Sequence, residues 1–70
     1  MRAPAHDEAF TDFVRASTSS LTRTAWLLTG DHALAQDLVQ NAYAKTLRAW
    51  DRVGGGDPLA YTRRAVVTGN

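Results

Sequence analysis

Seventy residues make one small domain at most, burying about 60% of the surface its unfolded chain exposes, which excludes a deep catalytic cleft between two lobes. Hydrophobic residues make up 44%, enough for a folded core, and the absence of cysteine excludes a disulfide framework, a thiolate metal site and a cysteine nucleophile. The formal net charge of +1 is not the footprint of a protein held on nucleic acid by bulk charge, but it is unevenly spread: three basic residues oppose four acidic ones in residues 1–34, and five oppose three in residues 35–70, so an anionic partner is expected on the second half.

Residues 1–6 read as a loose tail without the apolar segment of a secretory signal. No stretch approaches the ~18 apolar residues of a membrane span, so the expected location is the cytoplasm. From Asp7 the steps of three and four through Phe10, Phe13, Val14, Ser17, Leu21, Ala25 and Leu28 predict one helix over residues 7–29. Asp7 suits its N-cap and Glu8 the positive end of its dipole. Ser17-Thr18-Ser19-Ser20 weakens the middle, yet the apolar phase crosses it unbroken. Gly30 is placed to stop the helix in a left-handed C′ position, and Asp31 to cap the next one.

A second helix is predicted over residues 32–50, with Ala35, Leu38, Val39, Ala42, Thr46, Ala49 and Trp50 on one face and Leu34, Tyr43 and Leu47 beside it. Asp37, Gln40, Asn41, Ala44, Lys45 and Arg48 form a separate outward stripe. Residues 51–57, with Gly54-Gly55-Gly56, are expected to form a loop, because three consecutive glycines carry a large entropic cost in a helix. Asp57-Pro58 then restarts a helix over residues 57–68, Asp as N-cap and Pro at the first helical position. Leu59, Tyr61, Thr62, Ala65 and Val66 repeat at helical spacing. The expected fold is all-α, three antiparallel helices in a small bundle.

Catalytic chemistry finds no support along the chain. His6 and His32 lack a second ligand at metal spacing, and no serine has a histidine base nearby, so neither a metal, a cofactor nor an enzyme activity is expected. The glycine run lacks the Lys-[Ser/Thr] of a phosphate-binding loop and no strand precedes it. On spacing alone the Asp37–Arg48 stripe is either a solvated face or a contact surface. Arg48, Arg52, Arg63 and Arg64, interleaved with Trp50 and Tyr61, suit a nucleic-acid backbone with stacked bases, although both aromatics equally suit a core.

Taken together, Gly30-Asp31, the string Ala35-Gln36-Asp37-Leu38-Val39-Gln40-Asn41-Ala42-Tyr43-Ala44-Lys45-Thr46 and Ala49-Trp50 resemble region 2 of bacterial sigma factors of the sigma-70 family, particularly the extracytoplasmic-function group. Thr24-Ala25-Trp26-Leu27-Leu28-Thr29-Gly30-Asp31 and Asp57-Pro58-x-Ala60-Tyr61-x-Arg63-Arg64 are similar to segments of its actinobacterial branch. The resemblance spans roughly residues 8–68 and departs from the family at Thr68, where an asparagine is usual. It implies docking on the clamp helices of the largest subunit of RNA polymerase core through Asp37, Gln40, Asn41, Lys45 and Arg48. It further implies recognition and melting of the minus-ten promoter element on the non-template strand, with Arg52, Gly54, Gly55, Gly56 and Asp57 in the recognition loop and Tyr61, Arg63 and Arg64 on the following helix. An anti-sigma factor is a further implied partner. The rival expectation is a helical module that binds a protein partner and never touches DNA.

Overall fold

The computed structural model describes residues 4–69. Four helices follow one another: α1 (Pro4–Thr29), α2 (His32–Arg48), the single turn α3 (Trp50–Val53) and α4 (Pro58–Thr68), with no strand among the described residues. The all-α expectation holds. The boundaries differ at two places. Helix α1 opens at Pro4, so Asp7 lies inside it rather than capping it, and residues 4–6 are helical where a tail was expected. A proline at the first helical position has its φ already set and no N–H to leave unpaired. The rest of the expected tail, residues 1–3, lies outside the described residues.

The second difference is the end of α2. Ala49 leaves helical geometry at φ −99° and ψ 9°, its N–H shared between the carbonyls of Lys45 and Thr46 at 3.1 Å each. Helix α3 starts anew at Trp50, so the expected loop over residues 51–57 shrinks to residues 54–57, and the three-helix bundle gains a fourth, one-turn helix. This kink accompanies burial of Trp50, which is 7% exposed. Its ring meets Phe10 edge-on at 5.2 Å and Phe13 at 5.7 Å, and Tyr43 meets Phe13 edge-on at 5.9 Å. Edge-to-face pairs of this kind add about 0.5–1.5 kcal/mol each beyond the area they bury.

At 1.5 Å per residue the 26 residues of α1 span about 39 Å, and they set the 40 Å length of the molecule. Its serine-rich middle stays helical because the apolar face packs across it, and two of its hydroxyls fold back on the preceding turn: Ser17 donates to the Phe13 carbonyl at 2.7 Å and Thr18 to that of Val14 at 2.6 Å. With the single Ser17 proton so engaged, the Tyr43 hydroxyl donates to Ser17 Oγ at 2.6 Å and ties α2 to α1. Gly30 takes φ 68° and Asp31 accepts from the Leu34 N–H at 3.0 Å, as the stop-and-cap signal requires.

The core consists of Leu21, Ala25, Ala35, Val39, Ala42 and Val66, mostly small side chains that let α1, α2 and α4 approach closely. Leu28, expected on the buried face of α1, is 55% exposed, and Trp26 and Leu27 beside it are exposed too. Leu34 and Leu47, expected to flank the apolar face of α2, are half exposed. Spacing put these side chains on or beside a buried face, but no element among the described residues covers them.

Two threonines sit fully buried where α2 crosses α4. Their hydroxyls lie 2.6 Å apart, and each also reaches its own preceding turn, Thr46 to the Ala42 carbonyl at 2.9 Å and Thr62 to the Pro58 carbonyl at 2.7 Å. Two protons serve three contacts, so the donor choice of each hydroxyl depends on that of the other. Thr46→Val is expected to cost about 1 kcal/mol, because Thr62 keeps its carbonyl partner. The double change to valine is expected to cost less than the sum of the two single changes. Urea denaturation of the three variants measures the coupling, and simple additivity would show that the hydroxyl pair contributes nothing.

Candidate polymerase and nucleic-acid interface

The outward side of α2 is aimed by its two ends, the Asp31 cap at one and the buried Thr46 and Trp50 anchors at the other. Along it Asp37, Gln40, Asn41 and Arg48 stand exposed, and Lys45 is half-buried. Between α1 and α2 a groove of about 350 Å³ places Gln40 and Gln36 beside Thr18 and Thr22. Gln36, Thr18 and Thr22 were not anticipated as neighbours of the stripe. The signal was present, since Thr18 and Thr22 are one helical turn apart, but it needed the packing of α1 on α2 to be read.

The basic side chains gather elsewhere. An open concavity of about 390 Å³ is lined by Lys45, Arg48, Ala49, Asp51, Arg52 and Tyr61. A second hollow of about 200 Å³ adjoins it, sharing Lys45 and Tyr61 and adding Arg64 and Thr68. The two form one surface, running from α3 across the end of α2 to α4, with four cations along it. The Arg52 guanidinium lies 5.8 Å from the centre of the Tyr61 ring, a cation–π contact worth about 0.5–1 kcal/mol at an exposed site. Tyr61 is therefore held in place on one face before any base meets it.

Arg63 and Arg64 do not act as a pair. Consecutive helical residues point about 100° apart, and Arg63 reaches back to α1, its Nη2 3.5 Å from Ser20 Oγ, while Arg64 lines the hollow with Lys45. Trp50, considered above as a stacking platform, is instead an anchor of the aromatic cluster.

The loop glycines separate in the same way. A Cβ on Gly54 would lie 2.7 Å from the Trp50 ring and 2.8 Å from the Trp50 carbonyl oxygen, so this glycine is required by packing. Gly55 has nothing within 4 Å and Gly56 only the Val53 carbonyl at 3.7 Å, and both are exposed. The Asp57 carboxylate accepts from the Ala60 N–H at 3.1 Å, capping α4 with Pro58 at its first position.

Lys45, Arg48, Arg52, Tyr61 and Arg64 are thus brought together. Asp37, Gln40 and Asn41 lie further toward the start of α2, and Arg63 is turned to α1. Among the described residues no helix is long and apolar enough to cross a membrane. Residues 13–68 match the family model described as Sigma-70 region 2. No curated protein and no solved structure matches the chain.

Proposed function

This chain belongs to the sigma-70 region 2 family, whose work is transcription initiation with RNA polymerase core and promoter DNA, and we propose that it docks through Asp37, Gln40 and Asn41 on the clamp helices of the largest polymerase subunit and reads the minus-ten element on the non-template strand. The observation that carries this reading is the stripe itself. Asp37, Gln40 and Asn41 are exposed side by side on α2, and among the described residues none of them spends its carboxylate or amide on the fold. A carboxylate one helical turn from amide groups suits a charged coiled coil, where Asp37 accepts a charge-assisted bond and the amides orient the partner.

The role is non-enzymatic. Melting draws on the binding free energy of flipped bases and single strand, with Gly55 and Gly56 open for backbone approach and Arg52, Tyr61 and Arg64 on the adjoining basic surface of α3 and α4. The strings around Asp37 and Asp57 favour the extracytoplasmic-function group within the family, acting in the cytoplasm. Exposed Trp26, Leu27, Leu28 and Leu34 at the α1–α2 turn suit a protein regulator such as an anti-sigma factor.

The test is capture of polymerase core by the intact chain. Asp37→Ala is expected to weaken affinity for the clamp coiled coil about tenfold, from the loss of about 1.5 kcal/mol, with an unchanged helical spectrum. Equal affinity of the two chains would remove Asp37 from the interface, and failure of the parent chain to bind core would end the proposal.

A further inference from the structure

Ser20 and Arg63 meet where α1 passes α4. The hydroxyls of Ser17 and Thr18 give their protons to carbonyls one turn back, whereas the Ser20 hydroxyl is exposed, and its one hydrogen bond among the described residues is accepted from Arg63 Nη2 at 3.5 Å. We propose that Ser20 is a phosphorylation site, and that a phosphate on its Oγ is held by Arg63 across the two helices and by Arg23 one turn further along α1. The inference rests on the reading above only for its consequence: Arg63, which the resemblance assigns to promoter DNA, is then kept on α1 with its charge neutralised.

A guanidinium offers a planar fork of donors that matches a phosphate, and Arg63 spends one of them on a neutral hydroxyl at the outer limit of a hydrogen bond. Among the described residues neither Arg63 nor Arg23 has a carboxylate partner. No like charge opposes a phosphate from the two helices: α1 carries no acidic residue over residues 13–29, and α4 carries none at all. Arg23 is exposed three residues after Ser20, so the two side chains are neighbours on the helix surface. A phosphomonoester set opposite arginines makes about one to three charge-assisted hydrogen bonds. Ser19 also lies near Arg15 and Arg23 along α1, but the contact from α4 falls on Ser20. The hydroxyl residues at 17–20 are weak helix formers, which favours the local opening that a kinase needs. The group transferred is the γ-phosphoryl of a magnesium-bound nucleoside triphosphate held by a protein kinase. The Ser20 Oγ–P bond forms, the bond from phosphorus to the β–γ bridging oxygen breaks with its electron pair leaving on the nucleoside diphosphate, and the hydroxyl proton passes to a carboxylate of the kinase.

The test uses the full chain with phosphoserine installed at position 20, beside the unmodified chain, and R63Q in both forms. Phosphorus NMR is expected to show the phosphate losing its second proton at lower pH than in a free phosphoserine peptide, and R63Q is expected to reverse part of that shift. R63Q is also expected to lower the melting temperature of the phosphorylated chain by a few degrees more than that of the unmodified chain. Phosphoserine at position 19 is the control, and it is expected to ignore R63Q. With the chain saturated on polymerase core, phosphorylation of Ser20 is expected to leave core affinity parent-like and to weaken binding of forked minus-ten DNA. One phosphate contact fewer makes the salt slope shallower by about 0.7–0.9, so the advantage of the unmodified chain shrinks about threefold between 50 and 200 mM salt. A phosphate whose ionisation and melting are indifferent to R63Q would overturn the inference, and so would mass mapping that finds Ser20 bare in growing, starved and stressed cells of its source. A phosphate that answers to Arg63 in a chain whose core complex ignores the DNA would keep the site and overturn the promoter reading.

Discussion

Replacing Trp50 by alanine is expected to cost about 3–5 kcal/mol and to leave the chain largely unfolded near body temperature. The whole stability of a chain of 70 residues is only about 4–10 kcal/mol at ~0.05–0.15 kcal/mol per residue. Trp50 is the largest buried side chain and the centre of an aromatic cluster that joins α3 to α1 through Phe10 and Phe13. Its loss leaves a cavity against two phenylalanines. Thermal denaturation followed at 222 nm measures the effect, with Trp50→Phe as the conservative variant expected to retain most of the stability. A Trp50→Ala chain melting within a few degrees of the parent would mean that α3 and the aromatic cluster add nothing to the fold. Arg52 follows Trp50 by two residues, so a detached α3 would also open the basic surface at one end.

Gly54→Ala is expected to destabilise by about 2 kcal/mol, and Gly55→Ala by almost nothing. In a helical backbone conformation, φ −62° and ψ −31°, alanine would ordinarily be favoured over glycine by about 0.4–1 kcal/mol. Here the new methyl group would press into the Trp50 ring and carbonyl at 2.7 and 2.8 Å, and the ring cannot swing away because Phe10 and Phe13 pack against it. Overpacking of a filled site costs about 1–3 kcal/mol and outweighs the backbone gain. At Gly55 a Cβ meets open space. A melting comparison of the two variants decides this, and equal midpoints would show that the Trp50 contact yields. The contrast matters for function. Loss of promoter binding in Gly54→Ala reports a displaced Trp50, whereas the same loss in Gly55→Ala or Gly56→Ala reports contact between the loop and a base.

Reading from residues to fold succeeded where the determinants are local. A helix stop at Gly30 needs only a residue that tolerates φ 68°, and a start at Asp31 or Asp57 needs only a carboxylate three residues before an N–H. Both requirements are visible in five consecutive letters. In the serine-rich middle of α1 the bonds of Ser17 and Thr18 are also local, since each of these two hydroxyls finds its carbonyl one turn back. The buried positions Ala35, Val39, Ala42 and Thr46 follow from a period of 3.6 residues. The Asp37–Gln40–Asn41 stripe was legible for the same reason, being the side of α2 opposite to those positions.

What tertiary structure alone decided depends on residues far apart in the chain. The break at Ala49 goes with a ring that lodges against Phe10 and Phe13, some forty residues earlier, and no local propensity announces it. Exposure of Leu28 depends on whether a second element covers that face, which periodicity cannot supply. The contact of Arg63 with Ser20 on α1, and the gathering of Lys45 and Arg48 with Arg52 and Tyr61, come from the way α4 lies against α1 and α2. The helix stop at Gly30, the caps at Asp31 and Asp57 and the buried face of α2 were set by the sequence itself, because a cap or a stripe is complete within one or two turns. The borders between surfaces waited for packing, because a surface is made of side chains that only the crossing of helices brings together.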